Sequence, residues 1–353
     1  MNFLVSHATM KSSFFTFLSK GSESIRKWMA HSLDRMGLYL LHRQKSQQSQ
    51  FTRYDRSLLE QANWDIVYPT PDVPEVHFEH MHKQMNYEIQ RFSFQSPMKF
   101  GNEINDRVQG NVYFHSSQSP IHVIVVHGWR MDQWEKINRL FLKPFNKSGF
   151  HMWQMMLPFH FDRAYSSYSG EYMISANIER SIFSVRQAVM EIRSLIRWIK
   201  QNKGGSVILV GVSLGGLMTN LVATVEEYAD AVISIMYANS LSYAVWHTPI
   251  GKYIKQDLQN NGVTYDMLKE YWEILEPISQ KPKIDRNRIL FIAGRYDQYV
   301  HFEDALALQQ AWNISNFISY RCGHAGIIFH RKKIANDVLS FIHRTLSLSP
   351  RSV

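Results

Sequence analysis

Cysteine is nearly absent from this sequence of 353 residues, which holds Cys322 alone. One cysteine cannot close an internal disulfide, so nothing in the sequence requires an oxidising compartment. Cys322 directly precedes Gly323 and His324, but no second base is placed to activate its thiol. We therefore expect a small buried residue at the end of a strand rather than a nucleophile.

Long apolar runs are also absent. No stretch of about eighteen apolar residues occurs, so no transmembrane helix is predicted. The first residues lack the positive n-region of a secretory signal, and polar residues from His7 to Ser12 interrupt their apolar stretch. These features favour a cytoplasmic location. Because the first fifty residues are basic and rich in serine, a transit peptide is a minor alternative.

Acidic residues are scarce at the start of the chain, where residues 1–50 carry seven Lys or Arg against Glu23 and Asp34. More than half of the net charge of +9 therefore lies in this segment. A basic surplus confined to one end gives no reason to expect a nucleic-acid partner. It favours peripheral contact of residues 1–50 with an anionic surface such as a membrane, although a solvated tail explains the same charges.

Metal and nucleotide motifs are missing as well. The sequence has no HExxH pattern and no glycine-rich phosphate loop of either common type. His77, His80 and His82 lie close together, but nothing with zinc-ligand spacing accompanies them. We therefore predict neither a metal nor another cofactor.

The chain before residue 86 divides into an extension and a connection. Residues 1–50 form a basic, partly amphipathic extension, in which apolar residues at three- and four-residue steps from Ile25 to Leu40 predict a helix over residues 22–42. Such a helix binds a membrane or a partner, or packs on the main domain, and we favour packing. Residues 44–50 are expected to be a polar linker, and residues 51–85 a connecting segment.

Residues 86–350 have the pattern of one α/β domain. Residues 87–94 and 108–115 predict an antiparallel pair of strands. After them, apolar runs alternate with helix-length segments, which is typical of a mostly parallel sheet covered by helices on both faces. The predicted core strands are 121–126, 151–157, 207–212, 231–237, 289–293 and 317–321. The predicted helices are 134–146, 178–200, 214–227, 303–312 and 332–346.

One segment breaks this alternation. Residues 241–283 lie between two predicted core strands, yet they have helical patterns of their own and are rich in Tyr and Trp. A long insertion at the top of a parallel sheet is a candidate lid over an active site. We therefore predict a helical lid whose aromatic side chains suit an acyl chain.

The sharpest chemical signal is Gly211-Val212-Ser213-Leu214-Gly215, which follows a predicted strand and opens a predicted helix. Glycine two positions before and two positions after the serine removes side chains that would collide in so sharp a turn. Gly216 then lets the helix pack closely. Strand, motif and helix in this order predict a nucleophile elbow with Ser213 as the nucleophile.

A serine nucleophile needs a base and an acid that orients the base, and on such a sheet the chain order is Ser, Asp or Glu, His. Asp297 and His324 each follow a predicted strand, so both are expected at the carboxyl edge where Ser213 lies. We therefore predict that Ser213, Asp297 and His324 form a catalytic triad. Other candidates are less suitably placed, and these are Asp285, Glu303, Asp304 and His330.

An oxyanion hole completes the predicted site. The strand at 121–126 ends in His127-Gly128-Trp129, a tight turn that can aim a backbone N–H at the serine, and we favour that of Trp129. Its expected partner is the N–H of Leu214. His127 is interpreted as a structural hydrogen-bonding residue, and a loop hydrogen bond is favoured over substrate contact for His160.

Together these elements resemble the α/β-hydrolase superfamily of serine hydrolases over about residues 86–350. The resemblance rests on the His127-Gly128-Trp129 turn, the Ser213 elbow, Asp297 and His324, and it implies an α/β-hydrolase fold and an acyl-enzyme on Ser213. We favour a small carboxylic ester or other acyl substrate, as in esterase-like and lipase-like members. Two alternatives stay open: a peptidase or thioesterase with the same triad, and a non-catalytic pseudohydrolase that acts as a binding protein.

Overall fold

A nine-stranded sheet forms the centre of the molecule, in a computed structural model that describes residues 22–46, 48–54, 63–117 and 119–348. The strands are β1 His77–Gln84, β2 Tyr87–Gln95, β3 Arg107–His115, β4 Ile121–Val126, β5 His151–Met155, β6 Ser206–Val212, β7 Ala231–Ile235, β8 Ile289–Gly294 and β9 Phe317–Tyr320. Their order across the sheet is β1-β2-β3-β5-β4-β6-β7-β8-β9. Strands β1 to β3 pair antiparallel, as do β3 and β5. All neighbours from β5 to β9 are parallel, which confirms the mostly parallel sheet.

The sheet begins earlier than the sequence predicted. Strands β2 and β3 form the expected antiparallel pair, but β1 pairs with β2 from inside the segment interpreted as a connection, residues 51–85. The domain boundary at residue 86 is therefore wrong. All eight residues of β1 are exposed, so no alternation of buried and exposed positions marked this edge strand in the sequence.

Helices surround the sheet. They are α1 Glu23–His42, α2 Trp64–Val67, α3 Glu103–Asp106, α4 Glu135–Lys147, α5 Ile178–Asn202, α6 Leu214–Val225, α7 Leu241–His247, α8 Lys252–Asn260, α9 Tyr265–Tyr271, α10 Phe302–Ala311 and α11 Arg331–Leu348. Short 3₁₀ turns lie at Phe161–Arg163, Pro249–Gly251, Glu273–Leu275, Pro277–Ser279, Arg286–Arg288 and Ala325–His330. Side chains of Asn177, Ser240 and Thr264 cap the starts of α5, α7 and α9. Within the described ranges, no helix is long and apolar enough to cross a bilayer.

Both faces of the sheet are buried, as expected. Along β4, Ile124 and Val126 join one hydrophobic cluster with α5 and α6, while Val123 and Val125 join the other with α4 and α11. Each of these four side chains is fully buried, which stabilises the fold by about 1.5–3 kcal/mol for a side chain of this kind. This packing on both faces stabilises the strands whose carboxyl ends carry the candidate site.

Helix α1 packs on the domain, but not through its apolar stripe. Its buried residues are Ala30, Asp34 and Leu38, spaced by four. Trp28 and Met36, which contributed to the amphipathic pattern, are 70% and 60% exposed. The face predicted to pack is therefore largely the exposed one, because small and polar residues make the contact with the domain.

The segment after α1 is also docked rather than free. Ser46 and Gln50 donate side-chain hydrogen bonds to Glu171 at 2.6 and 2.9 Å. Ser49 donates to Asp257 of α8 at 2.5 Å, and the backbone N–H of Gln50 donates to the same carboxylate at 2.7 Å. The polar residues that suggested a linker therefore tie the segment to two parts of the domain.

The insertion at 241–283 is helical, as predicted, and consists of α7, α8, α9 and 3₁₀ turns. It is firmly packed: Leu268 and Trp272 are fully buried. The Tyr68 hydroxyl donates to the carbonyl of Ile274 at 2.9 Å. Its role as a lid stays a prediction.

Candidate active site

Ser213 occupies the turn between β6 and α6 with φ 58° and ψ −118°, a backbone conformation that is strained for a residue with a side chain. Glycine makes the turn possible, because a side chain on Gly211 would overlap the carbonyl of Gly215, and one on Gly215 would overlap the carbonyl of Val126. The N–H of Ser213 donates to the carbonyl of Ile235 at 2.8 Å. The serine is thus fixed at the carboxyl end of the central strands.

The structure brings Ser213, His324 and Asp297 together at this edge of the sheet. His324 lies in the loop after β9, and its Nε2 is 3.0 Å from the Oγ of Ser213 although 111 residues separate them. Its Nδ1 is 2.7 Å from the Oδ2 of Asp297, in the turn after β8. The other oxygen of Asp297 accepts the N–H groups of Tyr299 and Val300 at 2.8 and 3.0 Å. These bonds direct Oδ2 at the imidazole.

Burial and charge act on His324 in opposite directions. Burial alone would lower the pKa of the imidazole, but the charge and hydrogen bond of Asp297 and the charge of Asp34 raise it above the ordinary 6.5. With Nδ1–H donated to Asp297, Nε2 is left to accept the proton of the Ser213 hydroxyl. The ring also stacks on Tyr299, with centroids 4.6 Å apart and planes 9° apart.

The turn after β4 lies against the serine. A side chain on Gly128 would come within 3.2 Å of the Cβ of Ser213. Leu214 occupies the first position of α6, where a helix offers no acceptor for the N–H. The neighbouring Trp129 is fixed by its indole, which donates to the carbonyl of Gly170 at 2.8 Å. The N–H groups of Trp129 and Leu214 belong to segments that border Ser213, and their role as an oxyanion hole stays a prediction.

Two buried histidines hold this turn. His127 accepts the N–H of Leu157 at Nε2, 3.0 Å away, and His160 accepts the N–H of Arg130 at 3.1 Å. Each ring places Nδ1 at 2.8 Å from a backbone carbonyl, so each is neutral with its proton on Nδ1. Burial lowers the pKa of His127 to about 4 and that of His160 well below its ordinary value. The loop hydrogen bond favoured for His160 is present.

A buried ion pair supports the loop after β5, which carries Leu157 and His160. The guanidinium of Arg163 makes two hydrogen bonds of 2.7 Å to the carboxylate of Glu191 on α5, and both side chains are fully buried. The same guanidinium donates to the carbonyl of Met156 at 2.8 Å. Sequence patterns gave no sign of this pair, which lies 28 residues apart.

One carboxylate beside the site was not anticipated. Asp34 of α1 is fully buried, and its oxygens accept the N–H groups of His324 at 3.0 Å and Ala325 at 2.8 Å. A third N–H, from Gln298, reaches it at 3.0 Å. Because 290 residues separate Asp34 from His324, no local spacing could have indicated the contact.

The residues that the sequence offered as weaker candidates for the acid or the nucleophile lie away from Ser213 or make other contacts. Asp285 caps the 3₁₀ turn before β8, at the opposite end of that strand. Asp304 accepts the N–H groups of Asn239 and Ser240 at 2.7 and 3.2 Å. Cys322 is 5% exposed, and burial, with smaller contributions from Asp297 and Asp34, raises the pKa of its thiol. The thiol is therefore protonated at neutral pH and is a poor nucleophile.

The histidines at 77, 80 and 82 belong to β1, an exposed edge strand. Across the residues that the structure describes, no group of three or more His, Cys, Asp or Glu side chains is arranged to hold a metal ion.

A cavity of about 290 Å³ adjoins the turn after β4. Its walls come from Trp129 and Arg130, from residues 45–46 and 48–50, and from α8 with Tyr253 and Ile254. Ser213, Asp297 and His324 do not line it. The cavity therefore adjoins the turn that borders the serine and does not enclose the serine itself.

A sheet of this order with serine, histidine and aspartate at its carboxyl edge defines the α/β-hydrolase class. More narrowly, the chain belongs to the family described as alpha/beta hydrolase domain containing 18, whose model matches residues 47–283.

Two relatives are proteins of bacteria. The uncharacterized protein YdjC of Bacillus subtilis strain 168 is 46% identical over 115 residues, which are 33% of this chain and 99% of that protein. The uncharacterized protein Rv2627c of Mycobacterium tuberculosis strain H37Rv is 26% identical over 217 residues, which are 61% of this chain and 48% of that protein. The match thus spans about half the length of the mycobacterial relative.

Two solved structures share the fold. Acetyl xylan esterase 1 from Thermoanaerobacterium sp. JW/SL YS485 has a TM-score of 0.59 and 14% identity, with 79% of this chain and 92% of that chain covered. An acylaminoacyl peptidase of Pyrococcus horikoshii has a TM-score of 0.54 and 15% identity, with 77% of this chain and 43% of that chain covered. At such identities the likeness concerns the fold alone.

Proposed function

We propose that the protein is a serine hydrolase that cleaves a carboxylic ester through an acyl-enzyme on Ser213. The observation that carries this proposal is the continuous line from Ser213 Oγ to His324 Nε2 at 3.0 Å and from His324 Nδ1 to Asp297 at 2.7 Å. Nucleophile, base and orienting acid at hydrogen-bond distances are what acyl transfer by a serine requires.

In the proposed mechanism, the Oγ of Ser213 attacks the carbonyl carbon while His324 takes its proton. The oxyanion is bound by the N–H groups of Leu214 and Trp129, each worth about 2.7–4 kcal/mol of barrier when lost. His324 then gives the proton to the leaving alcohol. Water repeats the sequence on the acyl-enzyme, so the acid is released and Ser213 regains its proton. Asp297 keeps the imidazole in the required tautomer throughout.

A substrate panel separates esters from the rival acyl compounds. p-Nitrophenyl esters, acyl thioesters and peptide p-nitroanilides are assayed with wild type and with Ser213→Ala, and we expect ester turnover that disappears in the variant. Turnover confined to thioesters or anilides would point to a thioesterase or peptidase instead. Equal rates for wild type and Ser213→Ala would contradict the assignment of the serine.

We assign the acyl part of the substrate to the cavity beside Trp129. Trp129, Tyr253 and Ile254 contribute to the apolar part of this cavity, while polar and charged side chains line much of the rest. Its volume of about 290 Å³ is close to the lower end of ligand pockets, about 300–1,000 Å³. Filling the cavity with Ile254→Trp should reduce turnover of butyryl and hexanoyl esters and spare acetyl esters. Ile104→Trp, at a position that is 50% exposed, is the control. An equal loss of turnover for acetyl, butyryl and hexanoyl esters would contradict the assignment of the acyl part to this cavity.

Peripheral contact of residues 1–50 with a membrane stays a prediction. The exposed stripe of α1, which includes Trp28 and Tyr39 at 70% and 67% exposure, is the surface of the described residues that such contact would use. Co-sedimentation with phosphatidylcholine vesicles, with and without phosphatidylglycerol, tests the prediction. Binding that needs the anionic lipid and weakens in Trp28→Ser is expected, and no sedimentation with either vesicle would contradict it.

A further inference from the structure

Helix α1, which precedes the sheet in the chain, inserts a carboxylate between the two loops that carry Asp297 and His324. One oxygen of Asp34 accepts the N–H of Gln298, which directly follows Asp297, and also the N–H of His324, both at 3.0 Å. The other oxygen accepts the N–H of Ala325 at 2.8 Å. A single side chain therefore joins the acid's turn to the base's loop.

The fit of α1 to these loops depends on two glycines. A side chain on Gly323 would overlap the carboxylate of Asp34, and one on Gly37 would overlap the hydroxyl of Tyr299. That hydroxyl donates to the backbone carbonyl of Asp34 at 3.3 Å, while the ring of Tyr299 stacks on His324. Helix α1 thus contacts the backbone of His324 directly, and it contacts the imidazole indirectly through the ring of Tyr299.

The other end of α1 reaches the turn beside Trp129. The guanidinium of Arg130 donates to the carbonyls of Leu41 and Gln44 at 2.7 and 2.9 Å, and cations suit the C-terminal end of a helix. Helix α1 is therefore fixed both to the loops that carry Asp297 and His324 and to the turn after β4.

Burying this carboxylate is unfavourable in itself. Burial raises the pKa of Asp34, and the negative charge of Asp297 raises it further, while the bonds from Ala325 and Gln298 lower it. An apolar side chain in this place would avoid the desolvation of a carboxylate, but it would leave the N–H groups of Gln298, His324 and Ala325 without their acceptor. The carboxylate therefore fixes three N–H groups and places a negative charge near the imidazole.

We propose that Asp34 is a positioning residue of the active site, which holds the loop of His324 in register with the turn of Asp297. This inference rests on the proposed serine hydrolase. It makes α1 a part of the active-site scaffold rather than an appendage of the domain.

The test compares Asp34→Asn with Glu23→Gln. Both residues anchor α1 to the same pair of loops, since Glu23 bonds the hydroxyl of Tyr296 and pairs with Arg321 at 3.4 Å. Only Asp34 contacts the loop at His324. The amide keeps the shape of Asp34 but loses its charge and presents an NH₂ to backbone donors.

The first readouts are the rate of fluorophosphonate labelling of Ser213 and the kcat and KM for p-nitrophenyl acetate. We expect Asp34→Asn to lower the labelling rate and kcat at least about tenfold, since misplacement of a reacting group by 1 Å can cost more. KM should change little, and Glu23→Gln should stay within about twofold of wild type, within the range of an exposed ion pair. Rates are normalised to folded protein by circular dichroism.

The pH profile supplies a readout that a structural role would not move. The negative charge of Asp34 contributes to the raised pKa of His324, so its loss should shift the acidic limb of kcat/KM to lower pH. The other titratable groups close to Asp34 or His324 are Asp297, Tyr299, Cys322 and His31, and all of them are unchanged in the variant.

Two outcomes would overturn the inference. Normal rates and an unshifted limb in folded Asp34→Asn would overturn the role of Asp34 while leaving the serine hydrolase intact. Absence of labelling at Ser213 in the wild type would remove the proposed function and this inference with it. If Asp34→Asn does not fold, Asp34→Ser, which removes the charge and keeps one acceptor, is measured in the same way, and the same results count for or against.

Discussion

Histidines lie in the loops on two sides of Ser213, the partly buried His324 on one side and the fully buried His127 on the other, and they have opposite electrostatics. On the base side, which comprises the loops after β8 and β9, the pKa of His324 is raised. On the turn side, which comprises residues 127–130 and 157–160, burial lowers the pKa of His127 to about 4. Burial disfavours the cation on both sides, so the difference comes from the partners. His324 has Asp297 and Asp34 nearby, whereas His127 bonds only backbone groups in the contacts that fix its ring.

A buried histidine whose ring bonds only backbone groups therefore has a structural role. A neutral imidazole offers one donor and one acceptor in fixed directions, which suits it to hold two backbone segments together. A carboxylate on Nδ1 is what prepares the other nitrogen to accept a proton. We therefore expect substitutions on the base side to remove chemistry and those on the turn side to reduce it.

The largest effect is expected for His324→Ala. Loss of the base should lower kcat by about 10⁶-fold, as removal of the histidine does in comparable serine hydrolases. Circular dichroism should be unchanged, since the side chain is not part of the hydrophobic core. A folded variant that kept more than a hundredth of wild-type kcat would contradict the role of His324 as the base, because His324 would then be another structural histidine.

The next effect is expected for Asp297→Asn. The amide can hold the imidazole in the wrong tautomer, so kcat should fall by about 10⁴-fold. In wild type, the pKa of His324 lies above its ordinary 6.5, and kcat/KM should rise with pH through that raised value as His324 loses its proton. Removing the carboxylate lowers this pKa, so the acidic limb should move to lower pH. If the acidic limb of kcat/KM did not move in Asp297→Asn, a group other than His324 would be responsible for that limb.

A smaller effect is expected on the turn side for His127→Phe. The phenyl ring fills the space but cannot accept the N–H of Leu157 or donate to the turn, so the proposed donor at Trp129 loses its support. We expect kcat to fall by up to about 10²–10³-fold, the value for one oxyanion donor, with the acidic limb unchanged. A shifted limb would mean that His127 takes part in the proton transfer.

The smallest effect on catalysis is expected for Glu191→Gln, which breaks the buried pair with Arg163 beneath the turn side. Removing one partner leaves a buried charge, so the free energy of unfolding should fall by about 3–5 kcal/mol. Urea unfolding measures this, and kcat per folded molecule should stay within about threefold. Glu135→Gln, in an exposed pair with Arg139, is the control and should leave the unfolding midpoint unchanged. Equal midpoints for both variants would contradict the role of the buried pair.

The sequence predicted the sheet and the order of the residues around Ser213 for a simple reason. Apolar runs in β4, β6, β7 and β8 alternate with helix-length segments, which is typical of buried parallel strands, and the polar residues that follow such runs lie at the carboxyl edge. Ser213 and Asp297 were predicted in this way, and His324 was predicted from the weaker apolar run of β9. Gly211 and Gly215 added a local signal, because the strained turn demands glycine.

What the sequence could not predict depends on contacts between distant or atypical segments. Every residue of β1 is exposed, so the strand lacks the alternation of buried and exposed positions that would have marked it. In α1, the apolar stripe indicated one face, while the domain contacts the opposite face through Ala30 and Asp34. The pairing of Asp34 with the loop of His324 depends on the path of the chain, which periodicity does not encode.

Covalent labelling of the intact protein with a fluorophosphonate tests the central claim most directly. The account predicts one adduct, mapped by mass spectrometry to the peptide that contains Ser213, and no adduct in Ser213→Ala. Labelling should also fall in His324→Ala and persist in His127→Phe. A folded wild type that does not react, or one that reacts equally in Ser213→Ala, would contradict the assignment of Ser213 as an activated nucleophile.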